Sequence, residues 1–171
     1  MARSDDKTLA MKALDKAGVA YEALAYPVDV TDAVEVAGHL GVPPEGVYKT
    51  LVVTRPAGRP LLVMLASNRR LDPKRLAAAL GEKRVELAAH AEAERLTRLQ
   101  VGGISALALL GRGFDVVIDE AARERDWVCV SAGRKGVNLR VAVADLVRIT
   151  GARWVGAIER RHPYTPRREQ Q

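Results

Sequence analysis

Leu9, Ala10, Ala13, Leu14 and Ala17 fall on one face at helical spacing, and Gly18 follows where a helix commonly ends. The pattern predicts a helix over Lys7 to Ala17, then a short strand over Tyr21 to Ala25 that Pro27 closes. Ala33, Val36, Ala37 and Leu40 repeat the i, i+3, i+4, i+7 spacing. Thr31 or Asp32 can cap this second helix, Gly41 ends it, and Pro43-Pro44 forbids continuation.

The period then changes to two. Along "VYKTLVV", Val47, Lys49, Leu51 and Val53 share one strand face, and Tyr48, Thr50 and Val52 share the other. A lysine thus falls in line with three aliphatic residues. Leu61 to Ala66 is apolar on both faces, as expected of a central strand, and the "RPAGRP" turn joins the two runs as a hairpin. Asp72 as N-cap, Pro73 as the first helical residue, inward Leu76, Ala77 and Leu80, and Gly81 as stop define a third helix. Further on, the pattern predicts a strand over Val85 to Leu87 and a helix over Ala91 to Leu96. Strands follow at Asp115 to Ile118, Trp127 to Val130 and Val137 to Val141, the last with Asn138 and Arg140 on its polar face. A final helix over Ala142 to Ile149 ends at Gly151. No repeat or linker divides the chain. The mixed order of helices and hairpins points to an α+β (mixed α/β) fold in one compact domain, residues 1–158, with a mixed, mostly antiparallel sheet.

Composition and charge refine this picture. The 171 residues are 48% hydrophobic and 28% charged, enough for one domain with a core, and with 4% aromatics that core is built from Val, Leu, Ile and Ala. Apolar runs are far shorter than the ~20 residues of a membrane span, and "MARSDDKTLA" lacks the apolar core of a signal peptide, so a cytoplasmic protein is expected. The net charge is +6. From Ala152 to Gln171 five arginines stand against two glutamates, so residues 159–171 read as a basic, flexible tail. A second basic cluster, Arg69, Arg70, Lys74 and Arg75, permits an anionic partner.

Elimination narrows the chemistry. His39, His90 and His162 have no metal-ligand spacing and Cys129 is the only cysteine, so no metal site is predicted. "GRGFDV" precedes a strand instead of opening a helix and reads as a turn; no phosphate-binding glycine loop of the G-x-x-x-x-G-K type is present. Cys129, inside "WVCV", reads as a small core residue. Ser105 and Ser131 have neither a neighbouring histidine nor a G-x-S-x-G elbow. What remains is Lys49 and the Gly102-Gly103 pair. Lys49 either carries its head from an apolar face into water or points into a site; both readings stand on periodicity alone. Gly102-Gly103 can expose backbone N–H groups to a carbonyl oxygen or a developing oxyanion, or can simply form a turn.

Four segments in order, "YKTLVV" (48–53), "VGGIS" (101–105), "VSAGRKG" (130–136) and "ADLVRITGA" (144–152), with "AYPVD" (25–29) more loosely, resemble the YbaK-type Cys-tRNA(Pro) deacylases. These are relatives of the editing insertion domain of bacterial prolyl-tRNA synthetases. The resemblance covers nearly the whole chain except the tail. It implies a sheet wrapped by helices, no metal and no cofactor, and release in trans of cysteine wrongly esterified to proline tRNA, with cysteine tRNA as a further substrate. It assigns Lys49, Gly102 and Gly103 to catalysis and Tyr26, Thr50, Ile104, Ser105, Ala106, Ser131 and Gly133 to substrate binding. It implies that the substrate's own thiol attacks its ester, so that no protein nucleophile is needed and the formal class is closer to lyase than hydrolase. The implied partners are the acceptor end of mischarged tRNA and prolyl-tRNA synthetase, with no membrane. Ala106 stands where the family loop usually has proline, which removes a lock on φ. That departure keeps open a related deacylase for alanine or another small residue acting by water attack. A non-catalytic tRNA- or synthetase-binding module, resting on the basic surface alone, is the remaining alternative.

Overall fold

The structure, a computed structural model, describes residues 6–160. The elements are α1 (Leu9–Lys16), β1 (Glu22–Ala25), α2 (Ala33–Leu40), β2 (Tyr48–Thr54), β3 (Leu61–Ala66), α3 (Pro73–Leu80) and β4 (Glu86–Leu87). They continue with α4 (His90–Thr97), β5 (Asp115–Asp119), β6 (Trp127–Ser131), β7 (Val137–Ala142), α5 (Val143–Thr150) and β8 (Arg153–Val155). Helix ends follow their local chemistry. Thr8 caps α1 by accepting from the Met11 N–H at 3.2 Å, so α1 starts at Leu9, where its apolar stripe begins, two residues later than the expected Lys7. Asp32, and not Thr31, caps α2, its Oδ1 accepting from Val34 and Glu35 N–H. Asp72 does the same for α3 with Pro73 behind it, and Gly81 ends that helix in the left-handed region at φ +71°.

The single sheet expected from the pattern is two. One has the order β1-β7-β6 and is wholly antiparallel. The other has the order β4-β2-β3-β5-β8; β4/β2 and β2/β3 are antiparallel, β3/β5 and β5/β8 parallel. Antiparallel pairing still predominates. A parallel bridge between Val47 and Cys129 links the sheets where the chain enters β2. β3 occupies the centre of the larger sheet, as its two apolar faces require. β8 was not foreseen: three residues carry too short an alternation to read. Glu159 bridges Leu71 and the Arg160 N–H donates to the Arg70 carbonyl at 2.8 Å, so the chain stays on the domain to residue 160; the rest of the basic tail lies outside the described residues.

Three apolar layers follow from strand alternation. Tyr48 and Val52 of β2 and Leu62 and Met64 of β3 join Val128, Val130, Leu139 and Val141 in the main core between the sheets, closed by Leu14 of α1 and Leu146 of α5. The opposite faces of the same strands, Val53, Val63 and Leu65, pack with Leu76 and Ala77 of α3. Val47 and Cys129 form a third, smaller layer with Ala37 of α2. Cys129 is fully buried, and burial pushes its thiol up to about 11, so it is the core residue its sequence context suggested. Arg140 of β7 stacks on Trp127, its guanidinium carbon 3.7 Å from the ring centroid, covering an indole face. Among the described residues no helix is long and apolar enough to cross a membrane.

Leu65, fully buried near the end of the central strand β3, tests this layering. Leu65→Ala is expected to cost about 2–5 kcal/mol by lost burial plus cavity, read as a lower midpoint in urea at unchanged m-value.

Candidate active site

β2, the chain after β3, the segment before α2, and the loops at residues 101–104 and 131–138 enclose a cavity of about 300 Å³. This suits one small amino acid with its ester. Tyr26, Lys49, Thr50, Gly102, Ile104 and Ser131 line it. Six predicted site residues, scattered over a hundred positions, therefore meet in space. Thr50 lines the cavity although strand alternation aims it away from Lys49, because the wall follows β2 along its length. Tyr26 is nearly buried there, fixed by its backbone N–H to the Gly136 carbonyl at 3.0 Å.

Lys49 is half-buried at the head of β2, opposite Leu65 in register. Just past that partner the chain turns out of β3, and the Lys49 Nζ donates to the carbonyls of Ser67 (3.3 Å) and Arg69 (2.5 Å). Ser67 is itself locked: its N–H donates to the Val47 carbonyl and its Oγ to the Pro44 carbonyl at 2.6 Å. Desolvation pulls the Lys49 pKa below the ordinary 10.5; the Asp32 carboxylate opposes the shift and Arg70 adds to it. The ammonium is therefore held by carbonyls and a nearby carboxylate on the cavity wall. Simple escape into water does not describe it. Asp32, legible in the sequence only as a helix cap, also lines the cavity.

The two glycines of "VGGIS" are needed for different reasons. Gly102 has φ +94°, a region L side chains rarely adopt. Gly103 has an ordinary φ, but a Cβ there would meet Arg134 backbone atoms at 2.9 Å. Its N–H is already spent on the Gln100 carbonyl at 2.8 Å, so it is not available to a ligand as the glycine pair suggested. The N–H groups of Gly102 and Ile104 have no hydrogen-bond partner among the described residues.

Four further predicted residues, Gly103, Ser105, Ala106 and Gly133, do not line the cavity. The buried Ser105 Oγ accepts from the Ala108 N–H at 3.2 Å and caps the short 3-10 turn Leu107–Leu109. Ala106 is buried with φ −62° and ψ −34°, and its φ is one proline would impose, so the loop keeps a proline-like backbone without the ring. The Gly133 N–H donates to Ser131 Oγ at 3.2 Å, and a Cβ there would meet the Ala108 Cβ at 3.2 Å. These residues shape the loops that carry the wall.

Asn138 is a site residue that sequence reasoning missed. Alternation put it on the polar face of its strand, with no site assigned; it is only 5% exposed and lines the cavity, paired in register with Ser131. Its Oδ1 is buried with no hydrogen-bond partner among the described residues, a costly state that a donor in the cavity would relieve. Its presence in "VSAGRKGVN", where a polar residue alternates with apolar ones beside a glycine turn, was the available signal. His90 and the half-exposed Leu87 complete the rim. Among the described residues no group of histidine, cysteine and carboxylate side chains is placed to hold a metal.

Two outcomes follow. Gly103→Ala should force residues 101–105 off the Arg134 backbone and cost about 1–3 kcal/mol, measured by chemical denaturation. For Lys49, the lowered folded pKa means the unfolded chain holds its proton to higher pH. Wild-type stability relative to Lys49→Met is thus expected to rise with pH between the lowered folded value and 10.5, and to be flat below that window. Paired denaturation curves across that range read the slope.

With this geometry in hand, similarity to known proteins is informative. Residues 28–149 match the model of the aminoacyl-tRNA editing domain. An Enterococcus faecalis protein provisionally named Cys-tRNA(Pro)/Cys-tRNA(Cys) deacylase EbsC is 29% identical over 154 residues, covering 89% of this chain and 93% of that protein. A solved structure described only as a hypothetical protein superposes with a TM-score of 0.80 at 26% identity, covering 89% of this chain and 99% of that one. Another, described provisionally as a trans-editing enzyme for prolyl-tRNA synthetase, superposes with a TM-score of 0.75 at 21% identity, covering 90% and 96%. At that identity the likeness speaks for the fold alone.

Proposed function

Since the chain belongs to the aminoacyl-tRNA editing domain family, we propose that it is a trans-editing deacylase that releases cysteine wrongly esterified to proline tRNA, working in the cytoplasm where such tRNAs are made. The observation that carries the reading is the half-buried Lys49 ammonium on the wall of a cavity the size of one aminoacyl ester. The name of the Enterococcus relative supplies the substrate class.

The chain's own residues account for the chemistry by position and electrostatics. Lys49 places positive charge beside the ester, where negative charge develops on the carbonyl oxygen. The open N–H groups of Gly102 and Ile104 are the nearest candidates for hydrogen bonds to that oxygen. Asn138 Oδ1, buried without a donor, accepts from the substrate's α-ammonium, and the Asp32 carboxylate adds negative potential to the same cavity. Ser131 Oγ, already accepting from Gly133, keeps its own hydrogen for the substrate. Tyr48, whose phenol burial pushes up to about 12, stays a neutral group on the wall.

No side chain on this wall is an activated nucleophile. The substrate's thiol fills that role: it gives up its proton, its sulfur bonds to the ester carbonyl carbon, and the bond to the ribose oxygen breaks. The ribose hydroxyl recovers a proton and cysteine leaves as a cyclic thioester. The cavity holds thiol and carbonyl together. The proline-like backbone at Ala106 supports the family's usual side-chain selection.

The test is a panel of tRNAs charged with cysteine, alanine and serine. Cysteine release from proline tRNA is expected to be fastest, serine release much slower, since a hydroxyl is a weaker nucleophile than a thiol. Lys49→Ala should lower the cysteine rate at least about 100-fold, while Cys129→Ala leaves it intact. Equal rates for cysteine and serine would replace thiol attack by water attack; an unaffected Lys49→Ala would move the site elsewhere.

A further inference from the structure

A second depression, a groove of about 920 Å³, runs between α3 and the turn leading into β4. It abuts the active-site cavity along two segments. In β4, Glu86 belongs to the groove wall and Leu87 to the cavity wall. After β3, Ser67 lines the cavity and Asp72 the groove, with Arg70 exposed between them. The two walls therefore share β4 and the segment after β3, with Arg70 at the junction.

The charge in the groove is not self-compensated. Its carboxylates are already engaged: Asp72 caps α3 and faces Arg75, Glu82 pairs with Arg55 at 3.2 Å, and Glu86 faces Arg84 at 3.6 Å. Lys74, Lys83 and Arg160, also lining the groove, have no ion-pair partner among the described residues, nor has Arg70 at the junction. The backbone bond from Arg160 to the Arg70 carbonyl fixes the last of these cations to the junction.

The geometry points to this groove as the phosphate track for the single-stranded 3′ end of the RNA substrate, with Arg70, Lys74, Lys83 and Arg160 each facing the backbone as it leaves the cavity. This rests on the deacylase reading, because an aminoacyl ester in the cavity is carried on a terminal ribose whose next charged groups are phosphodiesters. The cationic groove thus lies on the side of the cavity where those phosphodiesters would run. Lysine and arginine contacts to phosphate fix register without reading sequence.

Binding of a fluorescent, uncharged RNA hairpin with a single-stranded 3′ end tests the assignment without requiring catalysis. The triple variant Lys74→Glu, Lys83→Glu, Arg160→Glu should lose at least about tenfold in affinity, and the slope of log affinity against log salt should become shallower by about two, at roughly 0.7 per lost contact. A control with the same change in net charge, Lys12→Glu, Lys16→Glu, Arg112→Glu, alters exposed cations that line neither depression and should bind nearly as wild type. Should either reversed variant melt early, the glutamine versions of the same positions replace it. Equal losses in both variants, no loss in the groove variant, or no RNA binding by wild type overturns the groove. A wild type that binds RNA through the groove yet releases no amino acid overturns the deacylase reading and leaves the groove standing.

Discussion

A lysine partly withdrawn from water must be met by acceptors, and the site is organised around that requirement. Lys49 enters on β2, whose Tyr48, Leu51, Val52 and Val53 commit to two apolar layers. The ammonium is accommodated only because the chain leaving β3 turns back across the head of β2 and offers the Ser67 and Arg69 carbonyls. That turn is in turn held by Ser67, through both its N–H and its hydroxyl. The carboxylate that caps α2 supplies the opposing charge. A hairpin register, a turn and a helix cap thus converge on one charged group.

The loops facing it are shaped by a different constraint, close backbone approach. The 101–105 segment lies against Arg134 so tightly that Gly103 has no room for a side chain, while Gly102 bends the chain through a conformation suited to glycine. Ser105 and Gly133 serve the same arrangement, one capping a 3-10 turn, the other resting on Ala108 within it. Residues that resemble substrate contacts in a motif can therefore be the supports that hold the contacts in place. The resulting cavity gathers open amides, an amide oxygen with no hydrogen-bond partner among the described residues and a cation on one wall, a set suited to an ester bearing an ammonium group.

Much of the fold is legible in the chain because its signals are local. The Asp72-Pro73 start and Gly81 stop reproduce α3, and the apolar run at 61–66 correctly places β3 at the centre of a sheet. The family of the chain is legible for a related reason: its motifs are short and at fixed spacing, and two of them, "VGGIS" and "VSAGRKG", include glycine loops that admit few other residues. The separation into two sheets was not legible, because the Val47–Cys129 bridge joins residues more than eighty positions apart with ordinary strand sequences at each end. β8 depends on the edge of β5 for its existence and has no pattern of its own.

For the site, sequence alone singled out Lys49 as anomalous, since a charged residue in an apolar alternation is visible without coordinates. Only the tertiary structure decided what surrounds it. It brought Asp32 from a helix cap and Asn138 from the polar face of a strand into one cavity, and it withdrew Ser105 into a cap. Alternation tells which residues share a face but not whether that face meets water, a core or a pocket. That is settled by which distant segment packs against it, and its physical cause is the burial of the two sheets against each other.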